Sequence, residues 1–190
     1  MENITVLFPG AFKPMHAGHI NLINRYCVDS SVNEVKVFIG ASSRGDIDQE
    51  TALNVAQILL SENKKVKIQT CSDPTPITTA YKYIGVCNPG IYVLAASSKE
   101  PENAKRIKKF VENHNSGKYP LAEDVKVIEM SINIEPLNYI GRTDDNNGKP
   151  ISASILRQDI TNENFDNFKT NYPGCSYNTI NTIWNLLKIK

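Results

Sequence analysis

The sequence predicts an α/β protein with a doubly wound, mostly parallel five-stranded sheet. Three observations predict it. Short apolar, β-branched runs recur five times along the chain. Segments of helical periodicity lie between them. Pro, Gly and Asn punctuate the joins. Strands alternating with helices in this way indicate βαβ units, whose ligands sit outside the carboxyl ends of the strands.

Taken in order, residues 4–8 form an apolar run closed by Pro9-Gly10 and read as a buried strand. Ile20, Ile23 and Cys27 recur at helical spacing, predicting a helix over 19–29. Residues 34–40 (EVKVFIG) read as the second strand, followed by the small-residue loop GASSRG carrying Arg44. Asp48 can cap the next helix, which runs to about Glu62, because its carboxylate can accept from first-turn amides. Residues 65–71 form the third strand. Thr75 as N-cap and Pro76 at the first helical position open a helix through Ile84.

Residues 91–96 (IYVLAA) form the fourth strand. An amphipathic helix over 102–114 turns Ile107, Phe110 and Val111 inward and the run Lys105, Arg106, Lys108 and Lys109 to water. Residues 124–132 form the fifth strand, 142–150 a polar loop, and a helix starts at Ser152. A final amphipathic helix covers 179–188. Its Trp184 and Leu187 either dock onto the sheet or form an exposed dimer surface. The expected organisation is one α/β domain over 1–160 and a small helical appendage over 161–190 packed on it.

Composition excludes several classes. The chain has 190 residues, 41% hydrophobic and 22% charged, with a formal net charge of +1. No global basic field is present to drive nucleic-acid binding, so phosphate chemistry must come from a local site. No apolar run approaches the roughly 20 residues needed to span a bilayer. The first residues do not read as a secretory signal. Cys27, Cys71, Cys87 and Cys175 lie far apart, as expected for reduced, mostly buried thiols of a cytoplasmic protein.

Two segments carry chemistry. The first is GAFKPMHAGH, Gly10 to His19, directly between the first strand and the first helix. Gly10 allows a sharp turn and close approach to a ligand. Gly18 keeps the helix entrance free of bulk. His16 and His19 lie one turn apart, so both imidazoles can face one point. Free amides at the helix start would favour an anion beside them. Two imidazole donors there suit a phosphate whose charge grows during reaction. A metal would need a third ligand, which no neighbouring residue offers; no metal site is expected. Two histidines that only cap a helix are the plain alternative.

The second segment is ISASILR, Ile151 to Arg157, opening a helix after the polar loop. Ser152 or Ser154 can cap that helix and offer a hydroxyl to phosphate, and Arg157, one turn on, can clamp another. An ordinary serine cap with a surface arginine is the alternative for this segment alone.

Together the segments resemble the nucleotidylyltransferase superfamily, whose patterns are G-x-F-x-P-x-H-x-G-H and I-S-x-[ST]-x-x-R. Every fixed position of both is filled. The resemblance spans roughly residues 4–160 and implies a Rossmann-like, HUP-type fold. PTPITTAY (74–81) and FDNFKTNYP (165–173) are similar to the small phage-type members, which places the protein in a host cytoplasm if it is phage-encoded.

The resemblance implies transfer of a nucleoside monophosphate from a nucleoside triphosphate to a phosphate-bearing acceptor, with release of pyrophosphate. AMP is the favoured group and nicotinamide mononucleotide a named candidate acceptor. His16, His19, Lys13 and Arg157 would be catalytic. Pro9, Gly10, Ala11, Phe12, Gly18, Ser152, Ala153 and Ser154 would bind the nucleotide. Ser42, Ser43 and Arg44 are candidates for the acceptor phosphate. Mg²⁺ would arrive on the triphosphate.

Two departures stand out. Lys13 occupies a position where many members carry Asp, and Ala95-Ala96-Ser97-Ser98-Lys99 replaces a Gly and an acidic residue near the base. Arg142-Thr143 is similar to cytidylyltransferases, which keeps CTP as an alternative donor. A structural or phage-assembly protein with a vestigial nucleotide site is the non-enzymatic alternative, and homo-oligomerisation is left open.

Overall fold

The computed structural model describes residues 3–95, 101–130, 132 and 137–188, without the side chains of 101–103. The elements follow the expected alternation: β1 (Ile4–Gly10), α1 (Ala17–Val28), β2 (Val32–Ile39), α2 (Gln49–Leu60), β3 (Val66–Thr70), α3 (Pro76–Ile84), β4 (Gly90–Leu94), α4 (Pro101–Asn115), β5 (Val125–Val127), α5 (Ala153–Thr161), α6 (Phe165–Lys169) and α7 (Tyr177–Lys188). The strands form one sheet in the order β3-β2-β1-β4-β5, and all four pairings are parallel.

Side chains alternate across a strand, so β1 feeds both faces. Ile4, Val6 and Phe8 enter a core with α1, α2, α5, α6 and α7, while Leu7 enters a second core with Ala80 and Ile84 of α3 and Phe110 of α4. Helices therefore cover both faces, which makes the sheet doubly wound. The order reverses around β1, whose carboxyl end lies beside that of β2, where Gly40 N–H donates to Gly10 O at 2.9 Å.

Local signals explain most boundaries. Asp48 caps α2 by accepting from Thr51 N–H at 2.8 Å. Pro76 starts α3, but Thr75 makes no cap bond; its hydroxyl pairs with that of Thr78 instead. The fifth strand is shorter than expected, ending at Val127 after three residues. Lys105, Arg106, Lys108 and Lys109 are exposed along α4. Of the cysteines only Cys71 is fully buried; the other three are half-buried, and all four are free thiols.

The carboxy-terminal helices share the first core. Phe168, Ile180, Ile183, Trp184 and Leu187 are buried in it, so α7 docks inward against α2 with Trp184 edge-on to Phe168 at 4.9 Å. Each such buried apolar side chain contributes ~1.5–3 kcal/mol.

Candidate functional site

The turn after β1 is a packed floor. Phe12 sits in the left-handed region at φ 52°, which non-glycine residues rarely adopt. Its ring lies over Gly10, where a Cβ would stand 2.6 Å from Phe12 Cζ, so any larger residue would have to displace the ring. The same ring meets Phe8 edge-on at 5.2 Å and His19 at 5.0 Å.

His16 and His19 cap α1 reciprocally. Gly18 N–H donates to His16 Nδ1 at 3.2 Å, and His16 N–H donates to His19 Nδ1 at 3.3 Å. This is a capping box built from imidazoles in place of Ser and Glu. Both bonds use Nδ1 as the acceptor, which leaves Nε2 of each ring as the nitrogen that can donate a proton outward. The two rings stack at 3.8 Å with an interplanar angle of 29°.

The expectation of free amides at this helix start is corrected. Ala17 N–H donates to Asn171 O at 3.1 Å, Gly18 N–H is held by His16, and His19 N–H donates to His16 O at 2.9 Å. The first turn spends its amides within the chain. Anion affinity here must come from side chains.

Those side chains are cationic. Lys13 is fully buried, and its Nζ donates to Gly40 O at 2.7 Å and to Ser42 O, bracing the loop after β2 against the turn after β1. Burial pulls its ammonium below the usual lysine range, with Asp48 opposing and Arg44 adding to the effect. Arg157 donates from Nη1 to Lys13 O at 2.6 Å. Burial, then the neighbouring Arg44, lowers its pKa. Arg44 acts electrostatically on both Lys13 and Arg157, and Asp48 opposes it at Lys13. Ser42, Ser43 and Arg44 are exposed beside them, while Pro9 and Ala11 are half-buried in the same turn.

The second motif is placed by contacts that sequence reasoning does not single out. Ser152 stands at the N-cap of α5 but makes no side-chain cap bond; its Oγ pairs with Ser154 Oγ at 3.2 Å. Its backbone is fixed by Tyr139, whose hydroxyl accepts from Ser152 N–H at 3.0 Å and donates to Ser152 O at 3.1 Å. Ala153 follows as the first helical residue.

Arg142 lies beneath. Its guanidinium pairs with Asp144 at 2.6 Å and Asp159 at 2.8 Å, donates to Asn167 O, and covers the Tyr139 ring at 4.4 Å. Its side chain is fully buried, so the residue that suggested CTP is committed to the interior. Ala95 is buried at the end of β4, and Ala96 to Lys99 lie outside the described residues.

The arrangement is thus two stacked imidazoles and a cationic group at the carboxyl ends of β1 and β2, where doubly wound sheets bind ligands. It can bind a polyphosphate and stabilise charge growing on it. Among the described residues no three His, Cys, Asp or Glu side chains gather to hold a metal ion.

The fold defines a class, the Rossmann-like α/β proteins. Known structures sharing it include an adenylyltransferase for nicotinic acid mononucleotide from Plasmodium falciparum, complexed with APC, at 16% identity and a TM-score of 0.50 over 100% of this chain and 99% of that one. A bifunctional NMN adenylyltransferase/ADP ribose pyrophosphatase from Francisella tularensis matches at 16% identity and a TM-score of 0.62, over 100% of this chain and 51% of that one. The same protein complexed with AMP and a manganese ion gives 16% identity and a TM-score of 0.55, over 99% and 52% of the two chains. The present chain spans about half the length of that bifunctional protein. No protein-family model and no curated protein matches the sequence.

Proposed function

We propose that this protein is a nucleotidylyltransferase that transfers AMP from ATP to a phosphate-bearing acceptor and releases pyrophosphate. The observation that carries the reading is the stacked His16–His19 pair, each ring accepting at Nδ1, just past the carboxyl end of β1, where Arg157 is bonded to Lys13 O. In this reading the acceptor's phosphate oxygen attacks the α-phosphorus and pyrophosphate leaves. The imidazoles donate to the α-phosphate as its charge rises, and Arg157 and the serine hydroxyls hold the β- and γ-phosphates. Mg²⁺ would be carried by the triphosphate and would neutralise part of its charge. Catalysis is positioning plus electrostatics, with no covalent intermediate on the protein.

The structural neighbours named for nicotinic acid mononucleotide and NMN support a pyridine mononucleotide as acceptor. Arg44, exposed beside Arg157, is the residue we assign to the acceptor phosphate. The burial of Arg142 supports ATP over CTP in this reading. The test is pyrophosphate release with Mg²⁺, ATP or CTP, and nicotinamide or nicotinic acid mononucleotide, for wild type and His16→Ala. Turnover with ATP that collapses in His16→Ala supports the reading. Wild type as inert as the variant with every pair sinks it and favours a structural protein with a vestigial site.

A further inference from the structure

The polypeptide after α6 reaches back to the histidine segment at two adjacent residues. Tyr172 Oη donates to Met15 O at 2.8 Å, and Asn171 O accepts from Ala17 N–H at 3.1 Å. Met15 and Ala17 flank His16. Two hydrogen bonds from one dipeptide therefore fix the peptide on both sides of the first catalytic candidate.

The dipeptide is itself anchored. Asn171 Nδ2 donates to Phe168 O at 2.8 Å, with longer contacts to Asn167 O at 3.3 Å and Asp159 Oδ2 at 3.4 Å. Asp159 pairs with Arg142, which also donates to Asn167 O. Thr143 N–H donates to Asn167 Oδ1 at 3.0 Å. Arg142 covers Tyr139, and Tyr139 holds both backbone groups of Ser152. One buried network thus connects His16 to Ser152 through the carboxy-terminal segment.

Asn171 is fully buried, and among the described residues its Oδ1 has no hydrogen-bond partner. A buried arginine with two carboxylates is weak evidence for stability by itself, because desolvation offsets the attraction. A geometry held to a fraction of an ångström is what a phosphoryl site needs.

We infer that Tyr172 and Asn171 are positioning residues: they clamp the His16 peptide and, through Asp159, Arg142 and Tyr139, hold it in register with Ser152. Neither touches the reacting groups. The clamp sets where the two Nε2 protons point. Its catalytic consequence rests on the nucleotidylyltransferase reading, but its effect on the imidazoles does not.

Tyr172→Phe tests it, because it removes one hydroxyl and keeps the ring. Trp184→Phe, in the same core but without a bond to the histidine segment, is the control for general loosening. The first readout is ¹⁵N NMR of the ring nitrogens of His16 and His19, assigned by substitution of each. The second is kcat against KM for ATP.

In Tyr172→Phe the distinct Nδ1 and Nε2 signals should move toward an average, while Trp184→Phe leaves them in place. The kcat should fall about tenfold with the KM for ATP within about twofold, since misplacement acts on the transition state. Unmoved ring signals in Tyr172→Phe, or a control that moves them as far, overturn the clamp. Moved signals with unchanged kcat overturn its part in positioning for catalysis. A wild type with no activity sinks the transferase reading alone, and the ring signals still decide whether Tyr172 sets the histidine pair.

Discussion

Arg157 hydrogen-bonds to the carbonyl of Lys13, 144 residues earlier, with Nη1 to O at 2.6 Å. The bond closes the first motif segment onto the second. Lys13 in turn holds Gly40 O and Ser42 O. Three segments, from the ends of β1 and β2 and the start of α5, are tied by two cationic side chains whose charges also face Arg44. The cations therefore both build the site and supply its field.

Arg157→Ala should separate these two roles. One lost hydrogen bond to a backbone carbonyl costs about 1 kcal/mol of stability. A guanidinium that clamps phosphate contributes more to nucleotide binding, because charge-assisted bidentate bonds are the stronger kind. Thermal melting should then show a modest fall without ligand and a much reduced rise on adding ATP and Mg²⁺. Arg157→Lys should restore the basal melting temperature only in part, since an ammonium lacks the planar fork. A full ATP-induced rise in Arg157→Ala would remove Arg157 from the nucleotide site.

His16 is both a cap and a catalytic candidate, and substitution can pull these apart. His16→Ala loses the Nδ1 acceptor for Gly18 N–H, at a cost of ~1 kcal/mol. His16→Ser restores a short cap acceptor but has no ring to reach a phosphate. We expect His16→Ser to melt close to wild type while losing turnover ~10²–10³-fold, the magnitude of one deleted charge-stabilising donor. Pyrophosphate release and melting curves on the same preparations check this. A His16→Ser variant that turns over at the wild-type rate would leave the histidine as a cap alone.

Gly18→Ala probes the same ring from the opposite side. A Cβ at Gly18 would stand 3.0 Å from His16 Cε1, closer than ordinary van der Waals contact. The imidazole must give by a few tenths of an ångström, which strains the cap bond to Gly18 N–H. The variant should lose ~1 kcal/mol or more despite the better helix propensity of alanine. Its turnover should fall with kcat more affected than KM. Denaturant titration and steady-state kinetics measure both. A Gly18→Ala variant more stable than wild type would mean the ring has room to yield.

Much of this was legible in the sequence. The alternation of strands and helices gave the parallel sheet, because βαβ units carry their period in every apolar position. The first motif lies at the carboxyl end of β1, where ligands bind in such sheets, and the second opens α5. What could not be read was how polar groups pair across long separations. The amides at the start of α1 looked free from local sequence, yet Asn171 supplies the acceptor for Ala17 from the far end of the chain. Tyr139 carries no spacing signal that marks it as the partner of Ser152. Arg142-Thr143 looked like a ligand motif, but its burial depends on Asp144 and Asp159, whose approach only the fold decides. The one available signal was the NYP segment, which is noticeable as a resemblance and silent on what it touches.

The buried arginine gives the sharpest stability prediction. Arg142 holds the Asp144 carboxyl well below the usual carboxylate range, with hydrogen bonds from the guanidinium as the largest cause and burial opposing it. A carboxylate with a depressed folded pKa adds stability that is fully present above its unfolded value, near about 4, and is lost as pH falls through the folded value. Wild type should therefore weaken progressively below about pH 4. Arg142→Met removes that contribution and leaves the buried Asp159 uncompensated, a loss of ~3–5 kcal/mol at pH 7. Its decline below pH 4 should also be shallower, because Asp144 no longer resists protonation. Arg142→Met combined with Asp159→Leu should recover part of the neutral-pH loss, since an apolar pair of similar volume often substitutes for a buried ion pair. Guanidinium unfolding at pH 7 and pH 3 on all three proteins measures each term. Arg142→Met with wild-type stability at pH 7 would mean that the ion pairs are not what holds the loop over 142–150 against α5 and α6.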